Sequence, residues 1–290
     1  MLKMQLDLDQ LRTLRAVVEQ GTLDAAATAL HVTPSAVSQR LKALETAAGQ
    51  VLLVRSKPAR ATPAGETVLR MARQVELLAA DTSAELARTG EPPRLAVAVN
   101  ADSMATWFLP AITPLAGELA IELHREDEAN TVRLLRAGTV VAAITYDAAP
   151  VSGCTVTPLG VMRYRPMASK AFARRWLPDG PTAEALAAAP MMVFDLDDAL
   201  QTEYLLSRSP GAAPPQTMVP SSSDFVKAIE LGMGWGMVPD LQRSAKLVEL
   251  EAGAETDVAL YLQRWRLRTP SLDLLADAIV KGAREQLAAA

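Results

Sequence analysis

The stretch PSAVSQRLKALE, from Pro34 to Glu45, gathers hydrogen-bonding and cationic side chains at helical spacing. At about 100° per residue, Ser35, Gln39, Lys42, Ala43 and Thr46 share one side of a helix, with Ser38 and Arg40 flanking it. Val37, Leu41 and Leu44 form a narrow apolar stripe on the other side. Short hydroxyls, an amide and cations are the groups that hydrogen-bond base edges and neutralise phosphates in a major groove. A core helix has no need of them, and a plain surface helix more often carries Glu–Lys pairs. Within His31 to Arg60, further bases at Arg55, Lys57 and Arg60 are opposed by Glu45 alone. That window is +4 in a chain of formal net charge −4, so the remainder is −8. A basic island on an acidic body suits local phosphate contact without general stickiness. A solvated surface run would carry the same charge, so charge by itself leaves both readings open. The polar helix face tips the balance toward DNA. The expected contacts are Thr33, Pro34, Ser35, Ser38, Gln39, Arg40, Lys42, Arg55, Lys57 and Arg60.

Other chemistries lack their residues. His31 and His124 are the only histidines and Cys154 the only cysteine, so no zinc cluster and no Ser/His or Cys/His pair is in view. There is no Gly-rich phosphate loop. No catalytic residue, metal or cofactor is therefore expected, and an enzyme is the weakest reading. Cys154 has no partner for an intrachain disulfide, which fits a reducing cytoplasm. The opening MLKMQLDLDQLRTL places Asp7, Asp9 and Arg12 where a signal peptide needs an apolar run. No stretch approaches the roughly 18 apolar residues of a membrane helix. A cytoplasmic protein without membrane partners is the expectation.

The polar helix needs a scaffold, and its neighbours supply one. Leu8, Leu11, Leu14 and Val18 step by three and four residues in a first helix ended by Gly21. Thr22 is placed to cap a short alanine-rich helix, Leu23 to Leu30. Thr33-Pro34 then starts the third, with a capping hydroxyl and a proline pre-set for the first turn. Together they make a helix-turn-helix candidate. Val51–Val54 and Ala61-Thr62 read as two short strands around the basic turn Arg55–Arg60, a wing to lie along the phosphate backbone. From Thr62-Pro63 a long helix runs to about Leu86, with Val68, Met71, Val75, Leu78 and Thr82 as a coiled-coil-like seam for a dimer. Thr89-Gly-Glu-Pro-Pro93 breaks the chain as a linker. From Arg94 strands and helices alternate, which predicts an α/β domain with largely parallel sheets, large enough for two lobes. Strands are expected at 94–99, 121–125, 140–145, 191–195, 217–219, 235–238 and 259–265, and helices at 103–115, 131–137 and 223–231.

The run LRTLRAVVEQGTLDAAATALHVTPSAVSQRLKALETAAGQVLLVRS, followed by ATPAGE, resembles the N-terminal domain of LysR-type transcriptional regulators. The match covers about Leu8 to Gly65 and departs conservatively. Leu52-Leu53-Val54-Arg55 stands for Leu-Phe-x-Arg, and Ala61-Thr62-Pro63-Ala64-Gly65 for Leu-Thr-x-Ala-Gly. NADSMATWF, EDEANTVRLLRAG, LGMGWGMVP and LYLQRWRL, from Asn100, Glu126, Leu231 and Leu260, are similar to the ArgP/LysG branch of that family. The resemblance implies an N-terminal all-α winged helix-turn-helix (1–62), a linker helix and hinge (63–93) and an effector-binding domain (94–290). It implies two periplasmic-binding-protein-like α/β lobes, about 94–165 with 266–290, and about 166–265. It further implies promoter DNA, RNA polymerase and a homodimer or homotetramer as partners. A basic amino acid is the implied effector and an exporter gene the implied target. A regulator with another small-molecule effector stays open, and so, less strongly, does a solute-binding protein.

In open α/β sheets ligands sit beyond the carboxyl ends of strands, often at helix N-termini. That rule selects Asn100, Asp102 and Ser103 after the first strand of the second half, where Asp102 or Ser103 would also cap the helix. A cationic ligand needs acids, and Asp127, Asp147 and Asp195 follow or end strands, with Asp127 and Asp195 favoured. Thr145, Ser222 and Asp224 complete the expected effector set. Trp107 and Trp235 are expected either as pocket walls or as core.

Overall fold

The helix ends of the first sixty residues are set by local chemistry. Residues 7–54, 56–87, 92–126, 128–196 and 198–289 are described by the computed structural model. Helix α1 (Leu8–Gln20) starts on the Asp7 carboxylate, which accepts from the Asp9 and Gln10 amides, and ends at Gly21 with φ +76°. Thr22 caps α2 (Leu23–Ala29), and Thr33 caps α3 (Pro34–Ala48), which Gly49 closes at φ +67°. Glycine reaches this left-handed region without steric cost. Leu11, Leu14 and Val17 of α1 meet Val37, Leu41 and Leu44 of α3 in one core, so the apolar stripe is buried as expected. Strands β1 (Leu53–Val54) and β2 (Arg60–Ala61) pair antiparallel as the wing. Gly65 closes the joint: a Cβ there would lie 2.0 Å from the Leu52 carbonyl oxygen.

Helix α4 (Pro63–Ala87) belongs to two cores. Its Val68, Leu69 and Ala72 complete that of the head, whereas Leu77 enters the core of the second domain. Met71 and Leu78, from the proposed seam, remain exposed on the single chain.

The second domain begins with β3 (Arg94–Val99), then α5 (Ala101–Ser103), a π turn (Met104–Phe108) and α6 (Leu109–Ile112). There follow β4 (Ala120–Arg125), α7 (Glu128–Ala137), β5 (Ala142–Thr145) and β6 (Cys154–Ser169). Helices α8 (Lys170–Trp176) and α9 (Ala183–Ala188) lead to β7 (Met191–Val193), α10 (Leu200–Arg208) and β8 (Gln216–Met218). Helix α11 (Ser222–Glu230), strands β9 (Gly236–Pro239), β10 (Leu247–Glu249) and β11 (Thr256–Trp265), and helix α12 (Pro270–Gln286) complete the chain. The main sheet runs β10-β6-β11-β5-β3-β4, with β9 also on β6, and β7 and β8 form a separate parallel pair.

This sheet is mixed, which corrects the expectation of largely parallel strands. Only β3–β4 and β3–β5 pair parallel in it; β6 pairs antiparallel with β9, β10 and β11, and β11 with β5. The cause is β6. Its first part pairs with β11 over Cys154–Tyr164, and its last residues pair with β9 and β10, so one strand serves both halves of the domain. Sequence patterning passes over it because Pro158, Gly160 and Pro166 interrupt it, and such residues weaken a strand assignment. Gly160 takes φ +132° where the Ala288 carbonyl leaves no room for a Cβ (2.7 Å). The helix expected at 103–115 is instead broken by the π turn and a 3-10 turn at Thr113–Leu115.

Candidate DNA interface and effector cavity

The wing and α3 present one polar surface. Ser35, Ser38, Gln39 and Lys42 are exposed on α3, as are Lys57 and Arg60 on the wing. Thr33 and Pro34 lie exposed at the start of the same helix, where the Thr33 hydroxyl accepts from the Ala36 amide (3.2 Å). Arg40 is placed differently: its guanidinium turns back to the Asp9 carboxylate at 3.2 Å and ties α3 to α1. Arg55 lies outside the described residues. Glu45, the one acid in the basic window, is not a surface charge among cations. It accepts the Leu52 amide at 2.9 Å and so fixes the wing to the end of α3.

In the second domain a cavity of about 620 Å³ opens beyond the end of β3, within the usual size range of small-ligand sites. Asn100, Asp102 and Asp195 of the expected effector set line it. Asn100, not Asp102 or Ser103, caps α5, accepting the Ser103 amide at 2.8 Å. Its Nδ2 is buried without a protein partner among the described residues, a donor not yet satisfied. Asp102 is thereby released from capping. Its carboxylate accepts from the Tyr164 hydroxyl at 2.7 Å, whereas Ser222, at the N-terminus of α11, donates from its hydroxyl to Gln242 Oε1 at 3.1 Å. Burial pushes the Asp102 pKa up, the neighbouring Ser222 and Tyr164 hydroxyls pull it down, and the Asp198 charge pushes it up again. Burial and Asp102 together hold the Tyr164 phenol well above its ordinary range.

The rest of the expected set is dispersed. Ser103 and Thr145 are buried and do not line the cavity; Thr145 Oγ1 accepts the Asp147 amide (3.0 Å). Asp147 is exposed on a turn, where its carboxylate accepts the Ala149 amide (2.8 Å). Asp224 is exposed in the first turn of α11, away from the cavity. Asp127 lies outside the described residues. Trp107 and Trp235 are core, 1% and 0% exposed, and form no wall of the cavity.

Sequence reasoning missed Tyr164, Asp198 and Glu203, which line the cavity from β6 and the α10 region. Asp198 organises the start of α10, accepting from the Leu200 amide (3.2 Å) and the Gln201 side chain. An Asp two residues before a helix start is the available signal, but the sequence pattern over 200–208 does not mark a helix. Among the described residues of the lining, Asp102, Glu126, Asp195, Asp198 and Glu203 face Arg125 as the single base. Phe194, Phe225, Met237 and Val258 supply apolar walls. The arrangement suits a small cation with an aliphatic stem.

A winged helix-turn-helix joined by one long helix to an α/β domain with a ligand cavity defines a DNA-binding regulator under small-molecule control. Residues 8–66 match the family described as bacterial regulatory helix-turn-helix protein, lysR family, and residues 88–284 match the LysR substrate binding domain. The chain belongs to the LysR family of transcriptional regulators, and within it to the LysG/ArgP type. It is 42% identical over 287 residues to the lysine export transcriptional regulatory protein LysG of Corynebacterium glutamicum, covering 96% of this chain and 98% of that one. The crystal structure of ArgP from Mycobacterium tuberculosis superposes with a TM-score of 0.91 at 43% identity, over 99% of this chain and all of the other. Full-length LysG from Corynebacterium glutamicum with bound effector Arg gives a TM-score of 0.83 at 39% identity, over 98% and 100% of the two chains. Among the described residues no helix is long and apolar enough to cross a membrane.

Proposed function

We propose that this regulator senses a basic amino acid, arginine or lysine, and controls a gene for its export. The observation that carries the reading is the acid-rich cavity, with five carboxylates against one guanidinium beside apolar walls. The likeness to the arginine-bound LysG structure and to a lysine export regulator supports it independently. Asp102 and Asp195 receive the side-chain cation, with Tyr164 holding Asp102 in place. The unpartnered Asn100 Nδ2 receives the ligand's carboxylate. The ligand sits between the two lobes, about 94–165 with 266–290 and about 166–265, and acts through its differential affinity for their arrangements.

On the DNA side, α3 enters the major groove with Ser35, Ser38, Gln39 and Lys42, while Lys57 and Arg60 follow the phosphates. The exposed Met71–Leu78 face of α4 is the seam with a second copy, so that a dimer or tetramer spans a pseudo-palindromic promoter and changes its bending and contact with RNA polymerase. Calorimetry with L-arginine, L-lysine and citrulline, the uncharged counterpart of arginine, tests the effector. Heat from the first two and none from citrulline is expected, and silence from both cations would overturn the reading.

A further inference from the structure

One side chain touches three parts of the molecule. Arg73, on α4, donates from Nη1 to the Ala137 carbonyl oxygen at 2.9 Å, at the C-terminus of α7 in the effector domain. Its Nη2 lies 3.6 Å from the Glu19 carboxylate on α1, in the DNA-binding head. A helix C-terminus carries partial negative charge, so a guanidinium is the natural partner for its last carbonyls. The pairing is backed by an arginine–glutamate pair running the other way, Arg15 of α1 to Glu76 of α4 at 2.9 Å.

The far end of α7 is the effector cavity. Glu126, just before the helix, and Thr131, in its second turn, both line it. Thr131 and Ala137 are six helical steps apart on unbroken helix, about 9 Å at 1.5 Å per residue. The near end has no slack. Gly138, at φ +74°, is packed so closely on α4 that a Cβ would stand 2.9 Å from the Arg70 Cα, and Arg70 itself donates to the Ser152 carbonyl at 3.2 Å. A shift of α7 that follows ligand entry is therefore delivered to Arg73, which also holds the head.

We propose that Arg73 is the positioning residue through which occupancy of the cavity sets the place of the DNA-binding head, an inference that rests on the effector-controlled reading above. Arg73 touches neither the cavity nor the DNA-facing surface, so its removal separates coupling from binding. Linkage requires that the factor by which ligand changes DNA affinity equals the factor by which DNA changes ligand affinity. Both therefore depend on the same joint.

The test uses the full-length chain, L-arginine, and the promoter duplex identified by footprinting. Wild-type protein is expected to bind arginine and to change its duplex affinity or footprint boundary on doing so, by about fivefold or more in affinity. R73Q should bind arginine within about twofold of wild type, with its ratio of duplex affinities falling to within about twofold of one. R73K, which keeps a charge but not the fork that reaches both Glu19 and Ala137, should retain part of the ratio. Should R73Q fail to fold, E19Q removes the head side of the joint from outside the effector domain and should give the same loss. A lowered Tm with an unchanged ratio and footprint response would assign Arg73 a merely structural role and overturn the proposal. Wild-type protein that gives no heat with arginine would overturn the reading beneath it as well. Heat without any change in duplex affinity or footprint would overturn the coupling alone.

Discussion

Asp102→Asn should push ligand binding and stability in opposite directions. The carboxylate is held by the Tyr164 hydroxyl at 2.7 Å, and burial has raised its pKa, so folding disfavours the anion there. A cationic ligand head at about 4 Å would interact with it by roughly 4 kcal/mol at an effective dielectric constant of about 20. Desolvation of that head offsets part of this, and hydrogen bonds to charged groups are worth about 1.5–3 kcal/mol. A loss of about 2–3 kcal/mol corresponds to arginine binding about 30- to 140-fold more weakly, read by calorimetry. Without ligand the sign reverses. An acid whose pKa is raised by folding costs stability above its unfolded pKa, and that cost vanishes below it. The asparagine variant should therefore melt higher than wild type at pH 7, and the advantage should disappear as the pH falls into the ordinary carboxylate range. The Asn side chain still accepts from Tyr164, so packing is kept. If Asp102→Asn left arginine affinity unchanged and lowered the ligand-free Tm, Asp102 would be a structural anchor and the cavity argument would fail.

Replacing Gln39 and Lys42 together by Ala should remove about 1–3 kcal/mol of base discrimination and reduce the salt slope of binding by about one; retention of specific affinity in a gel shift would show that α3 is not the reading helix. Gly65→Ala places a methyl 2.0 Å from the Leu52 carbonyl oxygen and should destabilise the head by about 1–3 kcal/mol in thermal unfolding; an unchanged melting curve would mean that the wing joint is loose. Burial pushes the Cys154 thiol up to about 11, so iodoacetamide at pH 8 should label it only on unfolding. Prompt labelling of the native protein would contradict that burial.

What could be read from the chain is what is encoded locally. Gly21, Gly49, Thr22 and Thr33 sit where backbone geometry and orphan amides demand them within a few residues. The Val37–Leu41–Leu44 stripe identified both faces of α3 at once. The same logic found Asn100 and Asp102 after a strand, and Asp195 at the end of a predicted one, because ligand sites follow strand ends. It also admitted Asp147 and Asp224, which stand at similar local positions but point elsewhere, since position along a strand or helix does not fix direction in space.

Tertiary structure decided the rest through partners far apart in sequence. β6, interrupted by two prolines, is a strand because β11, nearly a hundred residues later, pairs with it. Only that pairing brings Tyr164 to Asp102, and only the placement of α10 brings Asp198 to the same cavity. Arg40 reaches Asp9, 31 residues upstream, across the head, a pairing that no local pattern names. The sequence by itself determined a head with a polar reading face, a long connecting helix and an acid-rich sensor half, because caps, periodicity and charge act over short distances. Which acids converge, which cation pairs across the head and which arginine bridges α4 to both α1 and α7 required long-range contacts, whose energies depend on neighbours that no local pattern names.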